Sequence, residues 1–529
     1  MDNLAAYSTI PYPGQVTTQT HPDQIAVIAR LLGVAAKDPN QSRILEIGCS
    51  DGGNLVPIAA RLPGADCVGL DLVPDAIERA RAYAAEAGVA NATFLAADVM
   101  APPADLGTFD VILCHGVWSW VPPAARDGIL SLIRDHLAPN GVAYVSYNVW
   151  PGWGLRTPVR RMMQWHAREA ATASETLSRA RALAAFLADL PSHPRVIGSA
   201  IRAELAEIAH LEDWYLFHEY LATDNEPVFF HEFAKKAADH GLAYLGDAER
   251  TDLVPFDLPD EVQDGLADLA SDRVSYEQYL DFVRERAFRR TLLVHAGIEA
   301  DYGVTNERLS DLWAQGRVQL PSDWAEDDSL QAAALWAPGG PPRKADDVVG
   351  LVAASVVEKA AWRRLGEAWP AAVAIEALVA EAASEVGADA EEAGVVIRRR
   401  LLAAWLEGGV HLSCGPLPVG GTSPSELTRA EARKGRGWVT SARHHVVRID
   451  AVQSWMLQRL DHDDVALAGE LAGEIVRGAL PAPDDLDGDV VGWVGRTRTL
   501  FADALLLVGP IPRPERPAAP KPRRSRKAR

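Results

Sequence analysis

Apolar positions in the first 150 residues alternate between short runs and helical spacing. Thr20-His21-Pro22-Asp23 supplies a cap and an early proline, Ile25, Ile28, Leu31 and Leu32 follow at helical intervals, and Gly33 stops the pattern. This predicts an entry helix. From Arg43 onward, brief apolar runs at 44–45, 67–72, 93–95, 109–114 and 141–147 are separated by Ala-rich helical stretches. Such alternation predicts an α/β domain, a parallel sheet covered by helices on both faces.

After Tyr147 the rhythm changes. Residues 153–219 read as helices with a proline break at 191–194, and residues 227–249 read as a helix, a Gly241 stop and a last antiparallel strand. The first domain is therefore expected to comprise 1–150 and 225–255, interrupted by a helical insert at 151–224 that serves as lid or pairing element. Residues 275–295 read as one amphipathic helix inside a helical middle region, 256–337, and 338–342 as a Pro/Gly linker. Helices followed by a short strand at 410–414 predict a winged-helix-like module at 345–416. A last helical unit is expected at 423–508, before a tail at 509–529.

Composition adds scale and sign. A chain of 529 residues exceeds one core, and 48% apolar with 23% charged residues is ordinary globular composition. Residues 1–19 lack a secretory leader pattern and no apolar run is long enough to span a bilayer, so a cytoplasmic location is expected. Cys49, Cys67, Cys114 and Cys414 show neither redox nor zinc spacing. His444-His445 and Asp461-His462-Asp463-Asp464 fall in separate segments without ligand spacing and read as solvated loop and helix-end residues, so no metal is expected.

Net charge is −20, yet the Pro-rich tail from Arg513 carries eight basic residues against one Glu515, leaving 44 basic and 71 acidic residues elsewhere. A body this acidic speaks against tracking a nucleic-acid backbone and for cationic partners. The tail has almost nothing to bury and is expected to be disordered.

The chemistry concentrates at Arg43-Ile44-Leu45-Glu46-Ile47-Gly48-Cys49-Ser50-Asp51-Gly52-Gly53-Asn54, a strand ending in an acid and a Gly-rich turn into a helix. A second strand ends in Asp71-Leu72, placed to bind ribose hydroxyls, and a third is followed by Asp98-Val99, placed to accept an adenine amino group. A dinucleotide fold would use Gly-x-Gly-x-x-Gly for a pyrophosphate. Here Glu46, Gly48, Ser50 and Gly52 recur every second residue, like the class I methyltransferase motif with Ser50 in place of its middle glycine. The ligand of that motif, S-adenosylmethionine (SAM), carries a sulfonium cation and no phosphate, which suits carboxylates such as Glu46. Candidate SAM contacts are Glu46, Gly48, Ser50, Gly52, Asn54, Asp71, Leu72, Asp98, Val99 and His115.

The fourth strand runs into His115-Gly116-Val117-Trp118-Ser119-Trp120-Val121-Pro122 and the fifth into Tyr147-Asn148-Val149-Trp150-Pro151-Gly152-Trp153. Their aromatic rings either hold an alkyl-ammonium stem, at about 0.5–2 kcal/mol per good contact, or simply roof the cofactor pocket. His115 is a candidate general base or a positioning residue, Asn148 a candidate for orienting an incoming amine, and Trp118 and Tyr147 candidates for the acceptor wall. For a lysine acceptor, deprotonation at neutral pH costs about 4–5 kcal/mol, which an apolar channel lowers.

At these residues the chain resembles the bacterial methyltransferases that carry a methyltransferase regulatory domain, a group that includes the rickettsia-type protein lysine methyltransferases. Further marks are Tyr12-Pro13, Thr20-His21-Pro22, Ser146-Tyr147-Asn148, Phe217-His218-Glu219-Tyr220-Leu221, Phe230-His231-Glu232-Phe233 and Glu277-Gln278-Tyr279-Leu280-Asp281-Phe282. The resemblance implies a Rossmann-like SAM-binding sheet with a helical dimerisation insert, and mainly helical middle and C-terminal domains that cover or present the substrate. The reading is a SAM-dependent methyltransferase acting on protein lysine side chains, able to pair as a homodimer. A small-molecule N- or O-methyltransferase and a SAM-binding scaffold without turnover remain open.

Overall fold

The computed structural model describes residues 10, 12–190, 196–253, 258–320, 331–336, 348–353, 355–416, 423–461, 463–483, 485–486, 488–504 and 506–507. The proline break at 191–194, the linker at 338–342 and the tail at 509–529 lie outside them.

The entry helix spans Pro22–Leu31, with His21 as its cap. A seven-stranded sheet follows: β1 (Arg43–Ile47), β2 (Asp66–Asp71), β3 (Ala92–Ala96), β4 (Phe109–Cys114), β5 (Leu137–Asn148), β6 (Leu242–Asp247) and β7 (Phe288–His295), in the order β3-β2-β1-β4-β5-β7-β6. β1 to β5 are parallel, and β7 runs antiparallel to both its neighbours. The strand order reverses between β1 and β4, which opens a crevice at their carboxyl ends.

Pleating sends alternate side chains to opposite faces. Ile44, Val111, Leu113, Val142 and Tyr144 join the core on one face, and Leu45, Ile47, Ile112, Ala143, Val145 and Tyr147 that on the other. Burial on both faces is why these strands read as continuous apolar runs.

Two expectations are corrected. The single helix at 275–295 is a helix, Arg273–Arg284, that turns at Glu285 into β7. Glu285 takes a left-handed conformation (φ 48°) in which glycine is the usual residue, so nothing in the sequence marks the helix end. β7 then lies between β5 and β6, so the first sheet closes at His295, not near residue 255. The middle region is also not wholly helical. It supplies β7 to the first sheet, and Trp313–Gln315 to a small sheet with Val373–Ala374 and His411–Ser413.

Helices Arg156–Ala167, Ala173–Ala188 and Val196–Ile208 build the insert, with its own core around Val159, Met163, Leu205 and Tyr220. Helices Val356–Ala368, Ile375–Val386 and Ala390–Leu406 form the next module. The last unit combines Glu426–Arg433, a hairpin of Trp438–Thr440 and Val446–Arg448, and helices Ala451–Leu457, Asp464–Val476 and Val490–Asp503. No helix among the described residues is long and apolar enough to cross a membrane.

Candidate active site

Beyond β1 the chain must turn sharply into the helix Leu55–Arg61, and it does so with positive φ at Gly48 (74°), Ser50 (48°) and Gly52 (76°). The turn is pinned to β2: Gly48 N and Cys49 N both donate to Leu70 O at 2.7 and 3.0 Å. Asp71 holds it from the side, accepting from Ser50 N at 2.8 Å and from Val73 N at 2.9 Å. This clamp offsets the strain of a left-handed serine, about 1–2 kcal/mol. A side chain on Gly48 would put its Cβ 2.4 Å from Val117 Cγ2, so that position needs glycine for space as well as for φ.

A cavity of about 780 Å³ opens at the strand ends, and its wall includes Glu46, Gly48, Ser50, Asn54, Asp71, Leu72, Asp98, Val99, His115 and Asn148. Gly52 is not in that wall. Its Cβ position faces Val56 and Ala80 at 3.0 and 3.2 Å, so its smallness serves helix packing.

Glu46 accepts from Asn54 Nδ2 at 2.7 Å through one oxygen, while the other is buried without a partner. Burial pushes its carboxyl up to about 8, against the pull of the Asn54 hydrogen bond. An unpartnered buried carboxylate oxygen is costly unless a cation meets it. Leu72 and Met100, on the same cavity wall, remain 54% and 57% exposed. An adenine ring would cover such apolar surface, and Asp98 stands at the rim beside them, accepting from Met100 N at 2.9 Å. The residues thus fit a cationic nucleoside without phosphate.

His115 bonds Tyr144 Oη through Nδ1 at 2.9 Å and Thr17 Oγ1 through Nε2 at 3.3 Å. Burial, with Arg290 nearby, lowers it to about 4. Both ring nitrogens of His115 are thus engaged within the cavity wall. Asn148 donates through Nδ2 to Asn225 Oδ1 at 2.7 Å, and its backbone N–H to Ser119 Oγ at 2.9 Å.

Trp118 and Tyr147 do not line the cavity. Tyr147 stacks on Phe233 with ring centres 3.9 Å apart and shares a 2.9 Å hydrogen bond with Thr291, while Trp118 packs edge-on against both rings. The pleat decides this, because Tyr147 points away from the face that Ser146 and Asn148 present. Tyr12, Trp120, Tyr215 and Phe288 line the cavity instead, with Glu219 and Asp224 from the insert and Arg156 opposite them in sign. Glu219 sits in a π-helical turn, Phe217–Leu221, and burial raises its carboxyl to about 7, with Arg156 and Arg160 pulling it down. Periodicity could not find these residues. The family marks Tyr12-Pro13 and Phe217–Leu221 were the available signal.

His444 is likewise not solvated: it is fully buried and bonds Asn54. Among the described residues no group of His, Cys, Asp or Glu is arranged to hold a metal ion.

Fold and site together define a class I methyltransferase that uses SAM. Family models match residues 44–141 as a methyltransferase domain, 212–295 as a predicted methyltransferase regulatory domain, and 423–488 as a PKMT C-terminal winged helix domain. The winged-helix match thus falls on the last unit, after the module at 345–416 for which that architecture was expected. An uncharacterized protein of Rickettsia prowazekii is 34% identical over 302 residues, 57% of this chain and 54% of its own length. A second from that organism is 33% identical over 236 residues, 44% of this chain and 94% of its own. The structure of PKMT2 from Rickettsia typhi, also solved in complex with AdoHcy, superposes with a TM-score of 0.79 at 25% identity, covering 94% of this chain and 100% of that one. The chain belongs to the SAM-dependent methyltransferases that carry the regulatory and PKMT winged-helix domains.

Proposed function

We propose that this enzyme methylates lysine side chains of proteins. The observation that carries the reading is the composition of the acceptor end of the cavity. Aromatic rings of Tyr12, Trp120 and Tyr215 line the same cavity as Glu219, whose carboxyl is raised to about 7 by desolvation. Such a wall attracts an alkyl-ammonium and then removes its proton. The acidic body and the likeness to a PKMT support the same acceptor.

In this reading Asp71 binds the ribose hydroxyls, Asp98 the adenine amino group, Leu72 and Val99 the adenine faces, and Glu46 the cationic amino-acid end, with Gly48 and Ser50 giving the backbone close approach. SAM supplies an electrophilic methyl group on a sulfonium that departs as a neutral thioether. Glu219 takes one proton from the lysine ammonium, and Asn148 orients the resulting amine. The nitrogen lone pair forms the N–C bond as the C–S bond breaks, and its electron pair stays on sulfur. In-line displacement rests on this positioning and on exclusion of water. The four unpaired cysteines fit a reducing, cytoplasmic setting, and exposed Trp165, Phe186 and Ile197 on the insert suit pairing of two copies.

The test is transfer of labelled methyl from SAM to lysate proteins, lysine-rich peptides and a small-molecule extract. Label mapped to lysine Nζ by mass spectrometry is expected. Label confined to the extract would instead establish a small-molecule enzyme, which a cavity of about 780 Å³ also suits. No transfer despite SAM binding would leave a scaffold.

A further inference from the structure

The last unit reaches the cofactor turn through polar contacts. Asn54 Oδ1 accepts from Thr17 N at 3.2 Å and meets His444 Nε2 at 2.8 Å, while the Thr20 hydroxyl, 3.0 Å away, shares its single proton with Thr17 O at 2.7 Å. The backbone N–H of Thr17 can only donate, so the atom facing it is the amide oxygen and Nδ2 is the group that meets Glu46 at 2.7 Å. His444 must then carry its proton on Nε2. Its Nδ1, the unprotonated nitrogen of that tautomer, is buried without a partner among the described residues.

The ring is placed with some strain. His444 has a φ of 61° in the turn before the strand Val446–Arg448, a region that favours glycine, and its backbone N–H donates to Ser441 O at 3.0 Å. A second contact lies alongside. Arg436 donates to Gly14 O at 2.9 Å and pairs with Asp51 at 3.0 Å, so the N-terminal segment is held between the turn and the last unit.

We infer that His444 is a positioning residue for SAM binding, acting from the winged-helix unit through Asn54 to fix the carboxylate of Glu46. The inference rests on the reading of Glu46 as a cofactor contact, and makes the last unit part of the cofactor site. Burial keeps the ring neutral, with the pKa well below the usual histidine value, so the donor does not alternate with pH in the working range.

The experiment is calorimetric SAM binding, without acceptor, to the full chain and its variants, with melting temperature recorded for each. H444F keeps a ring of similar size without the donor and is expected to weaken SAM binding about tenfold, the effect of one buried hydrogen bond. H444Q, whose amide N–H can donate in its place, is expected to stay within about threefold of the parent. Cutting the same chain at its next link, N54A is expected to match H444F, and serves if H444F fails to fold. In an E46Q background, H444F should add little, because the group it positions is already altered.

Affinity within about twofold of the parent for a folded H444F, or for N54A if H444F fails to fold, would overturn the inference. An equal loss in the parent and E46Q backgrounds would also overturn it, since that marks a merely structural histidine. Unchanged binding in E46Q alone would remove the Glu46 reading, separately from the His444 effect.

Discussion

Glu46 is a buried carboxyl with one hydrogen bond and two other acids nearby, Asp71 and Asp51, and its titration should report cofactor binding. Its carboxyl lies near 8 in the folded, cofactor-free protein, against 4.5 ordinarily. The folded state therefore holds a proton that the unfolded chain releases, and this group's contribution to stability falls as pH rises from about 4.5 to about 8. A cation beside Glu46 favours the ionised form, so binding should expel the proton at pH values below about 8. SAM affinity is expected to rise with pH and level off above about 8, with close to one proton released at about pH 6.5 and almost none at about pH 9. Calorimetry in buffers of different ionisation enthalpy measures the count, and a pH-independent affinity would contradict the assignment. At this scale, legibility followed locality. Glu46, Gly48, Ser50 and Asp71 could be read because one strand end and one turn contain their reasons. Tyr147 was misassigned because aromatic identity does not say which face of a pleated strand a ring takes, and Trp118 because the short turn after β4, Trp118–Trp120, carries no pattern that orients its rings. Glu219 reaches the site from the insert, beside Arg156 and Arg160, and His444 through a contact with Asn54 that spans 390 residues of chain.

Among the elements, β7 depends on a charge that its apolar neighbours conceal. Arg289 is completely buried yet bonds Asp281 at 2.8 and 2.9 Å and Glu277 at 3.0 Å, pairs with Asp247, and lies 3.9 Å from the centre of the Phe230 ring. These partners come from the helix Arg273–Arg284 and from β6, so one guanidinium joins the two halves of the sheet's antiparallel edge to the helix that covers it. Arg289→Met is expected to cost about 3–5 kcal/mol, because it strands several buried acids, and a denaturant titration would read the loss. A shift below about 1 kcal/mol would mean that the acids simply neutralise. The parallel strands were legible from alternating runs, whereas β7 was not. Its preceding helix ends on Glu285 in place of glycine, and an internal strand buried on both faces gives no alternation to separate it from a helix. The winged-helix assignment shifted for a related reason: short hairpin strands such as Trp438–Thr440 carry only three residues of pattern.

For the whole molecule, charge is the property that acts over distance. Residues before Arg513 carry 44 basic against 71 acidic side chains, a balance whose field favours the approach of basic over acidic surfaces. Screening shortens that reach, since the Debye length is about 10 Å at 0.1 M salt and about 3 Å at 1 M. The second-order rate of methyl transfer to a lysine-rich protein is therefore expected to fall about tenfold between roughly 0.05 and 0.5 M salt. The Kd for SAM, which is set inside a cavity by directed contacts, should change by less than about twofold over the same range. Steady-state kinetics with the protein acceptor, run beside SAM titrations at each ionic strength, separate the two effects. A parallel loss in both would locate the salt effect in the cofactor site. A salt-independent rate would mean that the acceptor is recognised without the long-range field, as an uncharged small molecule would be. The same measurement thus weighs protein against small-molecule substrate by a route independent of the labelled product.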